Sequence, residues 1–188
     1  MPKLILIKHA APKKDADLPS DQWTLSDDGR AAAQRLADRV APHQPSRVIA
    51  SHEPKAIETG RIVAETCGVP LEQADGIEEH HRRHVPLMRT RDFVSAVAHF
   101  FTDPQRRVLG EETAEAARSR FTGAIDRLIS QHPSQNLAIV THGTVLALYT
   151  AELLREPPFQ LWRNLGLPSM LVFEWLEMRL VDRLDRVE

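Results

Sequence analysis

Three short apolar runs, at residues 4–7, 48–50 and 137–140, restrict the folds that this chain can adopt. Each run is continuous rather than alternating in polarity, and each is followed by a helical pattern, which begins after a polar loop in the first case and within a few residues in the other two. Strands that are apolar on both faces are typical of a parallel sheet covered by helices on both sides. The sequence therefore predicts an α/β fold, a three-layer sandwich with a mostly parallel central sheet flanked by helices.

Apolar residues at helical spacing predict five helices around this sheet. Ser26 is suited to cap the first helix, while Pro54 and Gly68 are typical of the start and end of the second. Two further segments, the apolar residues 170–175 and the mixed residues 179–184, predict a C-terminal antiparallel hairpin. The first helical segment is expected between Ser26 and Pro42. The other four are expected at 54–67, 86–107, 110–132 and 144–154.

Length and composition predict a single domain spanning residues 1–188, because a chain of 188 residues buries a core without disulfides or metal. The single Cys67 cannot form an internal disulfide, which indicates a reducing, cytoplasmic location. No apolar stretch approaches the 18 or so residues of a membrane span. The formal net charge of −2, with 24 basic and 26 acidic residues intermixed, favours neither nucleic acid nor membrane as a partner.

Cationic and imidazole side chains follow each of the three apolar runs. Lys8 and His9 end the first run, Lys55 lies in the helix start after the second, and His142 and Gly143 follow the third. The carboxyl ends of parallel strands border the ligand crevice of an open α/β sheet, and helix N-termini bind anions through their backbone N–H groups. The sequence therefore predicts an anion-binding site at this edge of the sheet.

The order of these motifs resembles that of the histidine phosphatase superfamily, the phosphoglycerate mutase-like fold. The family pattern is Arg-His-Gly after the first strand, Ser-x-x-x-Arg-Ala-x-x-Thr after the second, a catalytic Glu mid-chain and a late Ser/Thr-His-Gly. Here the corresponding residues are 8–10 (Lys-His-Ala), 51–59, Glu79 and 141–143 (Thr-His-Gly). The resemblance covers nearly the whole chain.

The resemblance implies a phosphatase that hydrolyses a small phosphomonoester without a cofactor or metal. His9 would attack phosphorus to form a phosphohistidine, and its other ring nitrogen would need an acceptor such as a backbone carbonyl. Glu79 would donate a proton to the leaving oxygen, which requires a raised pKa supplied by burial or by neighbouring carboxylates. Glu78 is the competing candidate for this acid. The resemblance assigns substrate binding to Lys8, Lys55, His142 and Gly143, with His142 also part of the catalytic set.

The chain departs from the family pattern at three positions. Lys8 and Lys55 stand where the family has arginines, and Ala10 stands where it has glycine. Lysine keeps the positive charge but loses the planar fork that binds two phosphate oxygens at once. Because the chain has five lysines and nineteen arginines, two lysines in one pocket indicate a matched variation. The alternative function is a phosphate-binding or regulatory module that has lost turnover.

The most polar part of the chain lies between the second and third apolar runs. Residues 80–110 are a candidate cap over the crevice. The whole segment between Glu79 and the strand at Leu137 is short for a lid that retains an intermediate, which favours hydrolysis over intramolecular transfer. Its basic side chains either select an anionic substrate or form a solvated surface. Those side chains are His80, His81, Arg82, Arg83, Arg89 and Arg91.

The same segment also suggests a different class of enzyme, a metal hydrolase. Histidines four positions apart on a helix can share one ion, so His80 and His84, with His81, are candidate ligands. Glu78 or Glu79 would complete this alternative site. The segment lacks both an apolar helical face and a distant third ligand motif, so we expect a metal-independent reaction.

Overall fold

The three apolar runs form the centre of one six-stranded sheet in the computed structural model, which describes residues 1–187. The strand order is β3-β2-β4-β1-β5-β6, with β1 to β4 parallel to one another and β5 and β6 antiparallel to their neighbours. The predicted mostly parallel sheet and C-terminal hairpin are therefore confirmed. The strands are β1 (Lys3–Lys8), β2 (Arg47–Ala50), β3 (Leu71–Gln73), β4 (Leu137–Thr141), β5 (Ser169–Glu174) and β6 (Arg179–Leu184).

Six α-helices are present within residues 1–187. Side-chain caps start two of them, because Ser26 Oγ accepts the N–H of Gly29 at 3.0 Å and Thr113 Oγ1 accepts the N–H of Ala116 at 3.1 Å. No helix in this range is long and apolar enough to cross a membrane. The helices are α1 (Asp27–Val40), α2 (Pro54–Cys67), α3 (Thr90–Thr102), α4 (Ala114–Gln131), α5 (Gly143–Leu154) and α6 (Pro158–Asn164).

Two helices are shorter than predicted. Helix α3 was expected over 86–107, but it ends at Thr102, because Pro104 disfavours helical backbone at the residue before it. Helix α4 was expected to begin at Gly110, but Gly110 has a φ of +91°, outside the helical region, and Thr113 caps the helix instead. The residues from 103 to 113 therefore form a connection between these helices.

The sheet is covered by helices on both faces, which explains why its central strands are continuously apolar. In β1, Leu4 and Leu6 pack with α4 and α5, while Ile5 and Ile7 pack with α1 and α2. All four side chains are fully buried. Burying each of them stabilises the fold by about 1.5–3 kcal/mol. The alternation also fixes the register of β1, since a shift by one residue would exchange the two faces.

Candidate active site

The carboxyl ends of β1, β2 and β4 bring the predicted anion-binding residues together. The backbone N–H of His9 donates to Thr141 O at 3.0 Å, which holds the residue after β1 beside the end of β4. The rings of His9 and His142 are 5.1 Å apart between centroids. Lys8, His9, Lys55 and His142 are each less than 10% exposed. The site is therefore a buried cluster of two imidazoles and two ammonium groups.

The tautomer of His9 follows from one hydrogen bond. Its Nδ1 lies 2.7 Å from Ala10 O, and because a carbonyl only accepts, Nδ1 carries the proton. Nε2 therefore keeps its lone pair. Burial, together with the charges of His142 and Lys55, holds the pKa of His9 well below its usual value. The ring is neutral at pH 7, as a nucleophile requires.

His142 lies at the N-terminus of α5 and is fully buried. Its Nε2 is 2.6 Å from Ser51 Oγ and 3.3 Å from Glu53 Oε1. Its Nδ1 is buried without a hydrogen-bond partner among the described residues. Burial and the charge of Lys55 hold the pKa of His142 well below its usual value. The neutral ring thus has one nitrogen available to a ligand.

Gly143 allows the close approach of Lys8 to the start of α5. A Cβ at position 143 would lie 2.9 Å from Lys8 Cε and 3.1 Å from its Nζ. Lys8 Nζ donates to Leu165 O at 2.6 Å, and burial lowers the pKa of Lys8 to about 8. The predicted binding residues Lys8 and Gly143 therefore lie in direct contact.

Lys55 is held by two protein acceptors. Its Nζ donates to Ser20 O at 2.6 Å and also contacts the carboxylate of Glu53, with the Lys55 and Glu53 side chains 6% and 8% exposed. Glu53 Oε1 additionally accepts the backbone N–H of Glu79 at 3.0 Å. Sequence analysis missed Glu53, although it lies inside the 51–59 motif. The only signal for it was an acidic residue two positions before the pocket lysine.

Glu79 lies in the same cluster as His142. Its carboxylate accepts three backbone N–H groups, from His80 at 3.0 Å, Thr144 at 3.2 Å and Val145 at 3.3 Å. The last two belong to the first turn of α5, where the helix dipole favours a negative charge. Burial alone would raise the pKa of Glu79, but contact with His80 and the charge of Arg82 hold it well below its usual value. The raised pKa that the acid role requires is therefore not found, because the pKa of Glu79 is lowered instead.

Glu78 has a different environment. Its Oε2 accepts the N–H of Gly76 at 2.8 Å and is 3.5 Å from Arg120 Nη1. Arg120 also donates to Glu78 O and Glu79 O, both at 3.1 Å, so that its hydrogen bonds hold the backbone of residues 78 and 79 in place. Glu79 thus contacts the turn of α5 that carries His142, whereas the carboxylate of Glu78 is paired with Arg120.

The basic residues of the candidate cap do not form one surface. His80 is buried, with its Nε2 3.2 Å from Leu109 O and its ring 4.5 Å from that of Phe100. Arg82 is half-buried near the site, and Arg83 is exposed and donates to Asp21 Oδ2 at 2.9 Å. The remaining members His81, Arg89 and Arg91 are exposed.

The alternative metal site is not supported by the geometry. Residues 80–84 are not helical, and within residues 1–187 His80, His81 and His84 do not form a group of close ligand atoms. A close group does exist at His52, Asp75 and Glu78, with ligand atoms within 4.8 Å of one another. Both ring nitrogens of its histidine already have acceptors, at 3.0 Å from Gln73 Oε1 and 2.9 Å from Asp75 Oδ1.

The fold and the histidine pair define a protein class that comparison with known families identifies. Residues 4–180 match the family described as histidine phosphatase superfamily (branch 1). The chain therefore belongs to this superfamily, and its resemblance to the phosphoglycerate mutase-like pattern is confirmed.

Two curated relatives share part of this sequence. Phosphoglycerate mutase-like protein 4 of Arabidopsis thaliana is 30% identical over 132 residues, which cover 65% of this chain and 56% of the relative. Adenosylcobalamin/alpha-ribazole phosphatase of Salmonella typhimurium is 34% identical over 141 residues, covering 71% of this chain and 68% of the relative. The match thus spans little more than half of the plant protein.

Solved structures share the fold along nearly the whole chain. The mycobacterial glucosyl-3-phosphoglycerate phosphatase superposes with a TM-score of 0.76 at 18% identity, covering 98% of this chain and 99% of that one. The alpha-ribazole phosphatase of Shigella flexneri gives a TM-score of 0.73 at 22% identity, covering 97% and 96%. At these identities the superpositions establish the α/β fold.

Proposed function

We propose that the protein is a phosphatase that hydrolyses a small phosphomonoester through a phosphohistidine on His9. The proposal is carried by the bond from His9 Nδ1 to Ala10 O, which leaves Nε2 unprotonated beside His142 in the buried pocket. Membership of the histidine phosphatase superfamily supports phosphoryl chemistry at this site. The reaction needs no group beyond the side chains described here and water.

In the first step, the lone pair of His9 Nε2 attacks phosphorus in line with the ester oxygen. The N–P bond forms as the P–O ester bond breaks, and the alcohol oxygen takes a proton from Glu79. Lys8 and Lys55 balance the charge on the remaining phosphoryl oxygens, where most of the transition-state charge lies, and the neutral His142 ring contacts the same oxygens. In the second step, water attacks phosphorus, Glu79 recovers a proton, and the N–P bond breaks to release phosphate.

The protonation of Glu79 depends on the substrate. Burial raises the pKa of Glu79, but contact with His80 and the charge of Arg82 outweigh burial and hold this pKa well below its usual value. A bound phosphoryl group adds negative charge close to this carboxylate, and a like charge raises a carboxyl pKa. Substrate binding and proton uptake by Glu79 are therefore coupled, and the acid exists only in the complex.

The alternative, a phosphate-binding module without turnover, is favoured by one observation. Lys55 is paired with the carboxylate of Glu53, and Lys8 already donates to a protein carbonyl. Both lysines therefore have protein partners, so that less of their charge is free to stabilise the transition state of phosphoryl transfer, and turnover would be weakened. We rank this alternative second, because His9 is a neutral ring whose Nε2 keeps the lone pair that a nucleophile needs.

Purified protein incubated with p-nitrophenyl phosphate and a panel of phosphorylated metabolites tests the proposal. We expect turnover that is lost in His9→Ala and unaffected by chelators, with an acid-labile phosphoryl group on His9 detected by mass spectrometry after rapid quenching. Turnover that persists in His9→Ala would exclude the phosphohistidine. Phosphate binding without turnover of any substrate would establish the binding module instead.

A further inference from the structure

A second cavity lies beside the catalytic pocket and has no part in the chemistry described above. It measures about 420 Å³ and lies between residues 14–23, in the loop after β1, and residues 82–93, which lead into α3. Its volume is within the range of about 300–1,000 Å³ that is typical of small-molecule sites. The loop and the cap segment thus enclose a space large enough for an organic group.

The walls of this cavity are mainly apolar. Leu18 and Leu87 lie in it with 43% and 48% of their surface exposed, although large apolar side chains are usually buried. Aromatic rings from both sides complete the lining. The main apolar members are Leu18, Trp23, Pro86, Leu87, Met88 and Phe93. Such a surface loses contact with water when an apolar ligand group covers it.

The apolar cavity is continuous with the catalytic side of the molecule. A neighbouring cavity of about 430 Å³ is lined by Glu53 and Glu79, and the two cavities have Ser20, Arg82, Arg83 and His84 in common. The carbonyl of Ser20 accepts the Lys55 ammonium at 2.6 Å. A group attached to a phosphoryl bound beside Glu53 and Glu79 can therefore extend past Ser20 into the apolar cavity.

Arg82 lies at this junction. Its guanidinium carbon is 4.9 Å from the centroid of the Phe93 ring, and its Nη1 is buried with no hydrogen-bond partner among residues 1–187. Buried donors normally have an acceptor, so this nitrogen points to a ligand oxygen. A guanidinium is also the planar donor that Lys8 and Lys55 lack. Arg82 is thus suited to contact an ester or phosphoryl oxygen while its plane covers Phe93.

We infer that this cavity binds the alcohol part of the substrate, and that the substrates are phosphomonoesters whose alcohol carries an aromatic ring or a bulky apolar group. The inference rests on the proposed phosphatase function and adds the chemical class of the leaving group to it. Arg82 contacts the phosphoryl end, and the rings of Trp23 and Phe93 contact the apolar end. Hydrolysis then releases inorganic phosphate and an apolar alcohol.

Two primary alkyl esters, 2-phenylethyl phosphate and ethyl phosphate, isolate the contribution of the cavity, because their leaving groups have similar basicity. We expect kcat/KM to be at least about tenfold higher for the phenylethyl ester, given that burying a ring-sized apolar group favours binding by more than that factor. A ratio near one in the wild-type protein would overturn the inference.

Matched variants test the location of the effect. We expect Leu87→Ser and Phe93→Ala to lower the ratio of kcat/KM for the two esters several-fold. Leu176→Ser changes a leucine that is 62% exposed in the hairpin turn, far from the cavity in sequence and outside its lining, and it should keep the wild-type ratio. An unchanged ratio in both cavity variants would also overturn the inference.

Binding measurements separate this inference from the proposed function. If neither these esters nor any substrate of the panel above is hydrolysed, the proposed function fails, and the cavity is tested by calorimetric titration with 2-phenylethylphosphonate and ethylphosphonate, which cannot be hydrolysed. Tighter binding of the phenylethyl compound, lost in Leu87→Ser, supports the site without turnover. Equal binding of both phosphonates contradicts it.

Discussion

Glu53 and Lys55 form a buried ion pair at the start of α2, inside the pocket that carries His9 and His142. The same carboxylate lies 3.3 Å from His142 Nε2 and accepts the N–H of Glu79 at 3.0 Å. An ammonium, an imidazole and a backbone amide are also the groups that would bind phosphoryl oxygens. Glu53 therefore occupies, as an internal anion, contacts that a bound phosphate requires.

Glu53→Gln is expected to strengthen the binding of inorganic phosphate and vanadate at least about tenfold. Two like charges about 4 Å apart repel each other by about 4 kcal/mol at an effective dielectric constant of about 20. Glu53→Gln removes this repulsion between the carboxylate and the bound anion, and rearrangement of the pocket offsets part of the gain. Calorimetric titration measures the effect directly. Glu65→Gln, an exposed change on the same helix, is the matched control and should bind as the wild type does. Weaker binding in Glu53→Gln would instead mean that Glu53 positions Lys55 and His142.

The activity is expected to fall as the pH rises through about 8, because burial lowers the pKa of Lys8 to about 8. The cationic form of Lys8 attracts the substrate, and this form is lost above its lowered pKa rather than near the usual 10.5. The pH profile of kcat/KM measures this, since it reports the free protein. Lys8→Met should lower kcat/KM at pH 7 and remove the alkaline limb. If the fall in kcat/KM near pH 8 persists in Lys8→Met, the titration of another group causes it.

Gly143→Ala should reduce kcat/KM by about tenfold or more, because the new Cβ would lie 2.9 Å from Lys8 Cε and displace that side chain. Gly123→Ala is the control, since the nearest atom to its new Cβ is Arg127 Nη1 at 3.6 Å within α4. Replacing a helical glycine in this way stabilises a protein by up to about 1 kcal/mol. Steady-state kinetics and thermal unfolding of both variants distinguish a local effect on Lys8 from a general loss of stability. If Gly143→Ala is as active as the wild type, the Lys8 side chain can shift away from the new Cβ without loss of function.

Glu79→Gln is expected to lower kcat for an alkyl phosphate by about 10²–10⁴, the usual contribution of a general acid or base. The loss should be much smaller in the phosphorylation step with p-nitrophenyl phosphate, whose leaving group needs no proton. Single-turnover kinetics with both substrates measure this difference. Glu78→Gln should change kcat less than tenfold, because Glu78 pairs with Arg120. Equal losses on both substrates would indicate a structural role for Glu79.

The sequence by itself determined the sheet and the meeting of its strand ends. Continuous apolar runs at residues 4–7 and 137–140 require burial on both faces, and this requirement is local to each strand. Once the strands are parallel, the residues that follow them share one edge of the sheet. The convergence of His9, Lys55 and His142 was therefore predictable from order and spacing alone.

Only the tertiary structure decided the electrostatics of the pocket. The carboxylate of Glu79 accepts the backbone N–H groups of Thr144 and Val145, more than sixty positions away, and the contact between Glu53 and His142 joins α2 to the end of β4. The sequence left His80 open as a substrate-selecting residue, part of a solvated surface or a metal ligand, whereas the structure buries it against Phe100. Periodicity encodes which face of a segment is apolar, whereas the partners of a charged side chain are set by the packing of distant segments.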